Sequence, residues 1–163
     1  GATGKSGSVV AEALIAKGQR VRVIGRDAAK LEGFMEKGAD GAVGDIGDTA
    51  FLTKAFRGAE AAYALIPPNF GVADFRAYQK QTGESIVAAI RGSGVKYVVN
   101  LSSQGAHLPV RTGPIAGLHD QEERLNRLDG VNVLLLLPTY FMENLLMNID
   151  LIKKMNIMGS AIK

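Results

Sequence analysis

Gly1-Ala2-Thr3-Gly4-Lys5-Ser6-Gly7-Ser8-Val9-Val10-Ala11-Glu12-Ala13-Leu14-Ile15-Ala16 places glycines at 1, 4 and 7 and passes straight into an apolar helical stretch. Glycines three apart let the backbone turn tightly, and a helix beginning at the turn aims its free N–H groups and positive dipole end at whatever lies there. A phosphate or pyrophosphate suits such a cradle. Glycine also serves ordinary turns and caps, so the surrounding elements must decide between a ligand loop and a plain turn.

Downstream, helical and extended stretches alternate. Gly18 reads as the C-cap of the first helix, Arg20–Ile24 as a strand, Ala28–Lys37 as a helix with Leu31, Phe34 and Met35 at helical spacing, and Gly41–Val43 as a short strand. Asp48 caps a helix running to about Arg57 with Phe51, Leu52, Ala55 and Phe56 on one face. Strands are expected at Ala61–Ile66, Tyr97–Leu101 and Val131–Leu137, with helices near Val72–Arg91 and Leu118–Leu128 between them and another near Tyr140–Met155. The later strands are almost continuously apolar, as a parallel sheet covered on both faces requires. The expected fold is α/β, a doubly wound parallel (Rossmann) sheet. Its usual first strand precedes the glycine loop, so residues upstream of Gly1 are expected. Residues 1–163 read as one nucleotide-binding domain incomplete at both ends, with 140–163 the start of a lobe over the site.

The 163 residues contain no Cys, which excludes disulfides, thiolate catalysis and Cys-ligated zinc, and leave His107 and His119 as the two imidazoles. No metal site is expected. The longest apolar runs fall well short of the roughly 20 residues that span a bilayer. We therefore expect a soluble, cytoplasmic domain with no membrane partner. A net charge of +3 suits an anionic ligand, but basic and acidic residues are interspersed, so no nucleic-acid partner is expected.

Gly4-Lys5-Ser6 also fits the end of a P-loop. Against an NTPase, neither Ala61–Ile66 nor Tyr97–Leu101 ends in an aspartate that would hold Mg²⁺. On the dinucleotide reading, Gly1, Thr3, Gly4, Lys5, Ser6 and Gly7 form the pyrophosphate loop. The second strand of such a fold ends where the adenosine ribose lies, and an acidic residue there selects NAD. Here the strand ends Ile24-Gly25-Arg26, with Lys30 a turn further on. A guanidinium binds phosphate through two hydrogen bonds, which favours the 2′-phosphate of NADP over NAD. The bland alternative is that Arg26 only begins a solvated face.

These residues resemble the NmrA-like proteins, a branch of the atypical short-chain dehydrogenase/reductases. The resemblance rests on Gly1-Ala2-Thr3-Gly4-x-x-Gly7, Val21–Asp27, Gly44-Asp45-Ile46, Gly58-Ala59-Glu60 and Pro138–Asn144, five motifs spanning nearly the whole chain. It implies NAD(P) held by the glycine loop, with Arg26 at the adenosine phosphate, Asp45 and Ile46 near adenine, and Ile66 and Pro67 lining the groove. Asp45 also reads as a turn residue, and Ile66 and Pro67 as simple strand termination. The family's Arg before Pro138 is Leu137 here. Members include reductases of quinones, dyes and phenylpropanoids, and also NADP-binding redox sensors that catalyse nothing.

Short-chain dehydrogenases use a Ser after the fifth strand and a Tyr-x-x-x-Lys pair on the next helix. Ser102 and Ser103 occupy the first position, but none of Tyr63, Tyr78, Tyr97 and Tyr140 has a Lys four residues later. In the wider family a Lys or His near the start of that helix takes the role, and His119 stands there. An imidazole titrates near neutrality and suits proton donation beside a hydride donor, although an exposed His in an acidic first turn reads equally well. His107 in the loop after the fifth strand, and Tyr140 and Asn144 after the last strand, are candidate substrate contacts. Phe141 and Met142 read as core packing. Two functions follow: an NADPH-dependent reductase of a small carbonyl, quinone or related electrophile, or a non-catalytic NADP(H) sensor that regulates a protein partner. Homo-oligomerisation is compatible with either.

Overall fold

Glycine caps, aspartate caps and apolar strands produce the expected alternation. The computed structural model describes residues 1–159. The helices are α1 (Lys5–Ala16), α2 (Glu32–Met35), α3 (Thr49–Phe56), α4 (Phe75–Ser93), α5 (Ala116–Asn126) and α6 (Ile149–Met155). The strands are β1 (Arg22–Gly25), β2 (Asp40–Val43), β3 (Ala61–Ala64), β4 (Tyr97–Leu101) and β5 (Asn132–Leu136). Residues 160–163, the end of the stretch read as a lobe, lie outside the described residues.

Every ladder is parallel. β1 pairs with β2, Arg22 opposite Asp40, while β4 lies between β3 and β5, with Tyr97 opposite both Ala61 and Asn132. Parallel neighbours need crossovers, and the helices supply them. On β1, Val23 belongs to a cluster with Ala11, Leu31 and Ala39, whereas Ile24 packs against the larger cluster built around Leu52, Ile86, Ile90, Val98 and Leu125. Adjacent residues of one strand thus face cores on opposite sides, which is the doubly wound α/β arrangement. Arg22 ties β1 to the larger core: its guanidinium donates to the carbonyls of Ala55 (2.8 Å) and Arg57 (3.0 Å) at the end of α3, where a cation complements the dipole.

The three-stranded sheet departs from the expectation of cover on both faces. Ala62, Ala64, Val98 and Leu135 face the larger core. On the opposite face Tyr97, Leu134 and Leu136 are 49%, 57% and 40% exposed. α6 packs chiefly on the 3-10 helix that precedes it, so it does not cover them.

Several boundaries moved for local reasons. α4 begins at Phe75 rather than near Val72 because the Asp74 carboxylate accepts from the N–H of Ala77 at 2.8 Å. α2 shrinks to one turn because Asp27 Oδ1 accepts from the N–H of Ala29, drawing residues 27–31 into turns. The helix expected over Tyr140–Met155 divides into a 3-10 helix, Met142–Asn148, and α6. Asn148 marks the change, its amide donating back to the carbonyl of Leu145 at 3.4 Å.

α4 and α5 approach through two reciprocal pairings. Gln79 of α4 lies over Gly117 of α5, and Gln121 of α5 lies over Gly83 of α4. Each glycine leaves the room its opposing side chain fills, and Gln79 Nε2 also donates to the carbonyl of Pro114 at 2.8 Å. A Cβ on residue 117 would enter the Gln79 carboxamide. Gly117→Ala is therefore expected to destabilise by about 2 kcal/mol and lower Tm by roughly 5 °C in calorimetry. Gly33→Ala, which meets nothing within 4 Å inside α2, serves as the control and is expected to be neutral or stabilising by up to about 1 kcal/mol.

Candidate functional site

Parallel strands bring all their C-terminal ends to one edge, the edge at which ligands gather in open α/β sheets. The segments after the strands carry Arg26, Asp45–Ile46, Ile66–Pro67, Ser102–His107 and Pro138–Asn144. The glycine loop joins them, its Ala2 N–H donating to the carbonyl of Ile24 at 3.4 Å and the Leu65 side chain standing where a Cβ on Gly1 would meet it at 3.5 Å.

The loop closes on itself and leaves its donors free. Gly4 N–H donates to the Gly1 carbonyl at 3.0 Å, and the first intrahelical bond runs from Ser8 N–H to the Gly4 carbonyl at 2.9 Å. No side chain caps α1 and no acid occupies its first turn. The N–H groups of Lys5, Ser6 and Gly7 thus precede the first intrahelical bond at the positive end of a twelve-residue helix. Gly7 is buried and permits this geometry, since a Cβ there would lie 2.8 Å from the Gly1 carbonyl carbon and closer still to its oxygen. Thr3, Gly4 and Lys5 are exposed and Ser6 half-buried.

Arg26 lies near this loop. It follows β1, whose Ile24 carbonyl accepts from the Ala2 N–H of that loop. Among the described residues Arg26 has no carboxylate within ion-pair distance, whereas Asp27 pairs with Lys30 at 3.9 Å and bonds its own turn. The site therefore offers one unengaged guanidinium, while Lys30 is partly committed. Asp45 holds a turn, its Oδ1 accepting from Gly47 N–H at 2.7 Å; Ile46 is half-buried against the larger core, Ile66 is buried within it, and the Pro67 carbonyl accepts from the Tyr78 hydroxyl at 3.0 Å.

The candidate proton-transfer residues occupy the loop after β4 and the first turns of α5. His119 Nδ1 lies 2.7 Å from the Ala106 carbonyl. A carbonyl only accepts, so Nδ1 carries the proton and Nε2 presents the lone pair. Asp120 beside it pairs with Arg76 at 2.7 Å and lies 4.0 Å from Arg124. Ser102 is buried and its hydroxyl donates to Glu122, drawing it towards α5; Ser103 is half-buried and donates to the Gln104 carbonyl at 3.1 Å. His107 is exposed, Tyr140 is exposed and Asn144 half-buried. The core role read for Phe141 and Met142 is not met, since they are 42% and 70% exposed at the start of the 3-10 helix. Ala106 and Glu122 were missed in the sequence. Ala106 acts through its backbone, which leaves no side-chain signal, and Glu122 is one of four acids between 120 and 129 until the fold sets it against Ser102.

The NmrA-like family model matches residues 1–160. An NAD(P)H azoreductase of Xenophilus azovorans is 29% identical over 156 residues, 94% of this chain and 51% of that protein. A solved NADPH-dependent quinone oxidoreductase of Escherichia coli, complexed with NADPH, superposes with TM-score 0.72 at 26% identity, covering 91% of this chain and 50% of that one. A Citrobacter triphenylmethane reductase complexed with NADP(H) gives 0.76 at 22% identity over 88% and 49%, a likeness of fold. The chain thus spans about half the length of these relatives.

The close approach at Gly7 has a direct consequence. Gly7→Ala is expected to force the loop from α1 and cost about 2–3 kcal/mol of stability in denaturant unfolding, whereas Gly18→Asn, at a positive-φ helix end with open space, is expected to cost under about 1 kcal/mol.

Proposed function

The chain belongs to the NmrA-like family, and from that premise we propose that it binds NADP(H) and serves an NADPH-dependent reductase of a small carbonyl, quinone or related electrophile. The observation that carries the reading is the pairing of an α1 terminus without a side-chain cap with an unengaged Arg26 on the neighbouring segment after β1. The fit is chemical: helix-terminal N–H groups suit a pyrophosphate, and a guanidinium without a carboxylate partner suits a further phosphate. Gly1, Thr3, Gly4, Lys5, Ser6 and Gly7 would hold the pyrophosphate, Arg26 with Lys30 the 2′-phosphate, and Asp45, Ile46, Ile66 and Pro67 the walls. When bound, the dinucleotide supplies hydride. The relatives named for reduction of azo compounds, quinones and dyes support this class of chemistry.

His119 is assigned the proton that must accompany the hydride. The Ala106 carbonyl holds Nδ1–H, so the free Nε2 donates only from the imidazolium and becomes an acceptor once that proton has left. His119 therefore needs no Tyr-Lys pair. Ser102, engaged by Glu122, positions rather than donates in this scheme, and Ser103, His107, Tyr140 and Asn144 stand on the same edge as candidate substrate contacts.

Two expected outcomes test this. Arg26→Ala should weaken NADPH binding about 10- to 100-fold by calorimetric titration while changing NADH affinity less than about threefold, the loss of charged hydrogen bonds to one phosphate. Wild type binding NADH more tightly would overturn the preference. For His119→Asn, which keeps a donor for the Ala106 carbonyl but lacks the distal nitrogen, kcat should fall about 100-fold with NADPH binding intact. NADP(H) binding without turnover on any quinone or aldehyde, joined to a protein partner released by NADP(H), would instead favour the sensor reading.

A further inference from the structure

The segment between β3 and α4, Pro67-Pro68-Asn69-Phe70-Gly71-Val72-Ala73-Asp74, carries an exposed aromatic ring at the ligand edge of the sheet. Phe70 is 76% exposed, the most exposed of the large apolar side chains among the described residues. A ring able to bury on the order of 200 Å² does not usually stand in water, and an isolated exposed one needs no account; here it belongs to an ordered stack. Phe70 lies on Phe75 with centroids 5.1 Å apart and planes at 20°, and Phe75 meets Tyr78 at 6.3 Å. Phe75 and Tyr78 are half-buried.

The stack is anchored through Tyr78 and Phe75. The Tyr78 hydroxyl donates to the Pro67 carbonyl at 3.0 Å, and Asp74 caps α4 on the same turn that carries Phe75. Two consecutive prolines stiffen the start of the loop. Core packing explains Phe75 and Tyr78 but not Phe70, because one side of Phe70 is already used by the offset stack and the rest faces solvent. Leu65, two residues before Pro67, stands where a Cβ on Gly1 would meet it at 3.5 Å, so the segment departs from the flank of the glycine loop.

We propose that Phe70 is a substrate-contacting residue, a pre-ordered stacking platform for a flat, conjugated electron acceptor such as a naphthoquinone. The inference rests on the reductase reading and narrows its substrate class: a π-face held in place by a second ring recognises another π-system at small entropic cost, and offers an aliphatic carbonyl little. No residue of the proposed proton-transfer or dinucleotide machinery is invoked in that contact.

The test uses the full-length protein and its variants Phe70→Ala, Phe70→Leu and Phe70→Tyr, with 2-methyl-1,4-naphthoquinone and 2,3-butanedione as acceptors. Naphthoquinone binding to the NADP⁺-loaded protein is titrated alongside steady-state kinetics. Phe70→Ala and Phe70→Leu are expected to raise both Kd and KM for the naphthoquinone about fivefold, and Phe70→Tyr less than twofold, with the butanedione KM and the NADPH Kd unchanged. Phe70-dependent quinone binding without turnover would support the platform and overturn the reductase reading. Turnover with quinone binding indifferent to all three variants, an equal rise for both acceptors, or wild-type behaviour of Phe70→Leu would overturn the platform.

Discussion

The contact of Gly7 with the backbone of Gly1 is the constraint from which the site follows. With no Cβ at position 7, α1 can start against the loop that precedes it, and its first free N–H groups are left at the sheet's ligand edge instead of being met by a side-chain cap. A helix in water would gain from a Ser, Thr or Asp cap. Leaving the terminus bare costs stability locally and creates an electropositive cradle. Arg26 follows β1, whose Ile24 carbonyl accepts from the Ala2 N–H, so the guanidinium and the bare helix terminus stand on neighbouring segments.

A second set of close approaches holds the opposite flank. The reciprocal Gln79–Gly117 and Gln121–Gly83 pairings set α5 against α4, and Gln79 also fixes the turn from which α5 starts. His119 lies in the first turns of that helix, so the distance to the Ala106 carbonyl is inherited from the interhelix packing. Ser102 and Glu122 join β4's exit to the same helix. The α1 terminus and the His119 contact thus depend on separate glycine contacts, one beside the two-stranded sheet and one beside the three-stranded sheet, and substitutions in one should leave the other largely intact.

Much of the fold was legible because its signals are local. Asp48 as a cap, Gly18 as a left-handed stop, and β-branched or apolar runs between such signals each act within a few residues. The errors arose where a competing local bond decided the outcome: Asp27 drawing its own turn, Asp74 setting a later start, Asn148 dividing the last helix. The expectation of a sheet covered on both faces failed for Leu134 and Leu136 because apolarity states that a face can be buried, not that a described element buries it.

The sequence alone determined the α/β alternation, the glycine loop and the cation after β1, since spacing and residue type carry those features. Only the tertiary structure decided that Arg26 is unengaged while Lys30 is partly committed, that Ser102 turns to Glu122, that a backbone carbonyl fixes the His119 tautomer, and that Phe70 is held out in solvent. The physical reason is common to all four. Each depends on a partner brought near by the packing of separate turns, strands and helices, and a free ring nitrogen or an unpaired charge is defined by everything around it.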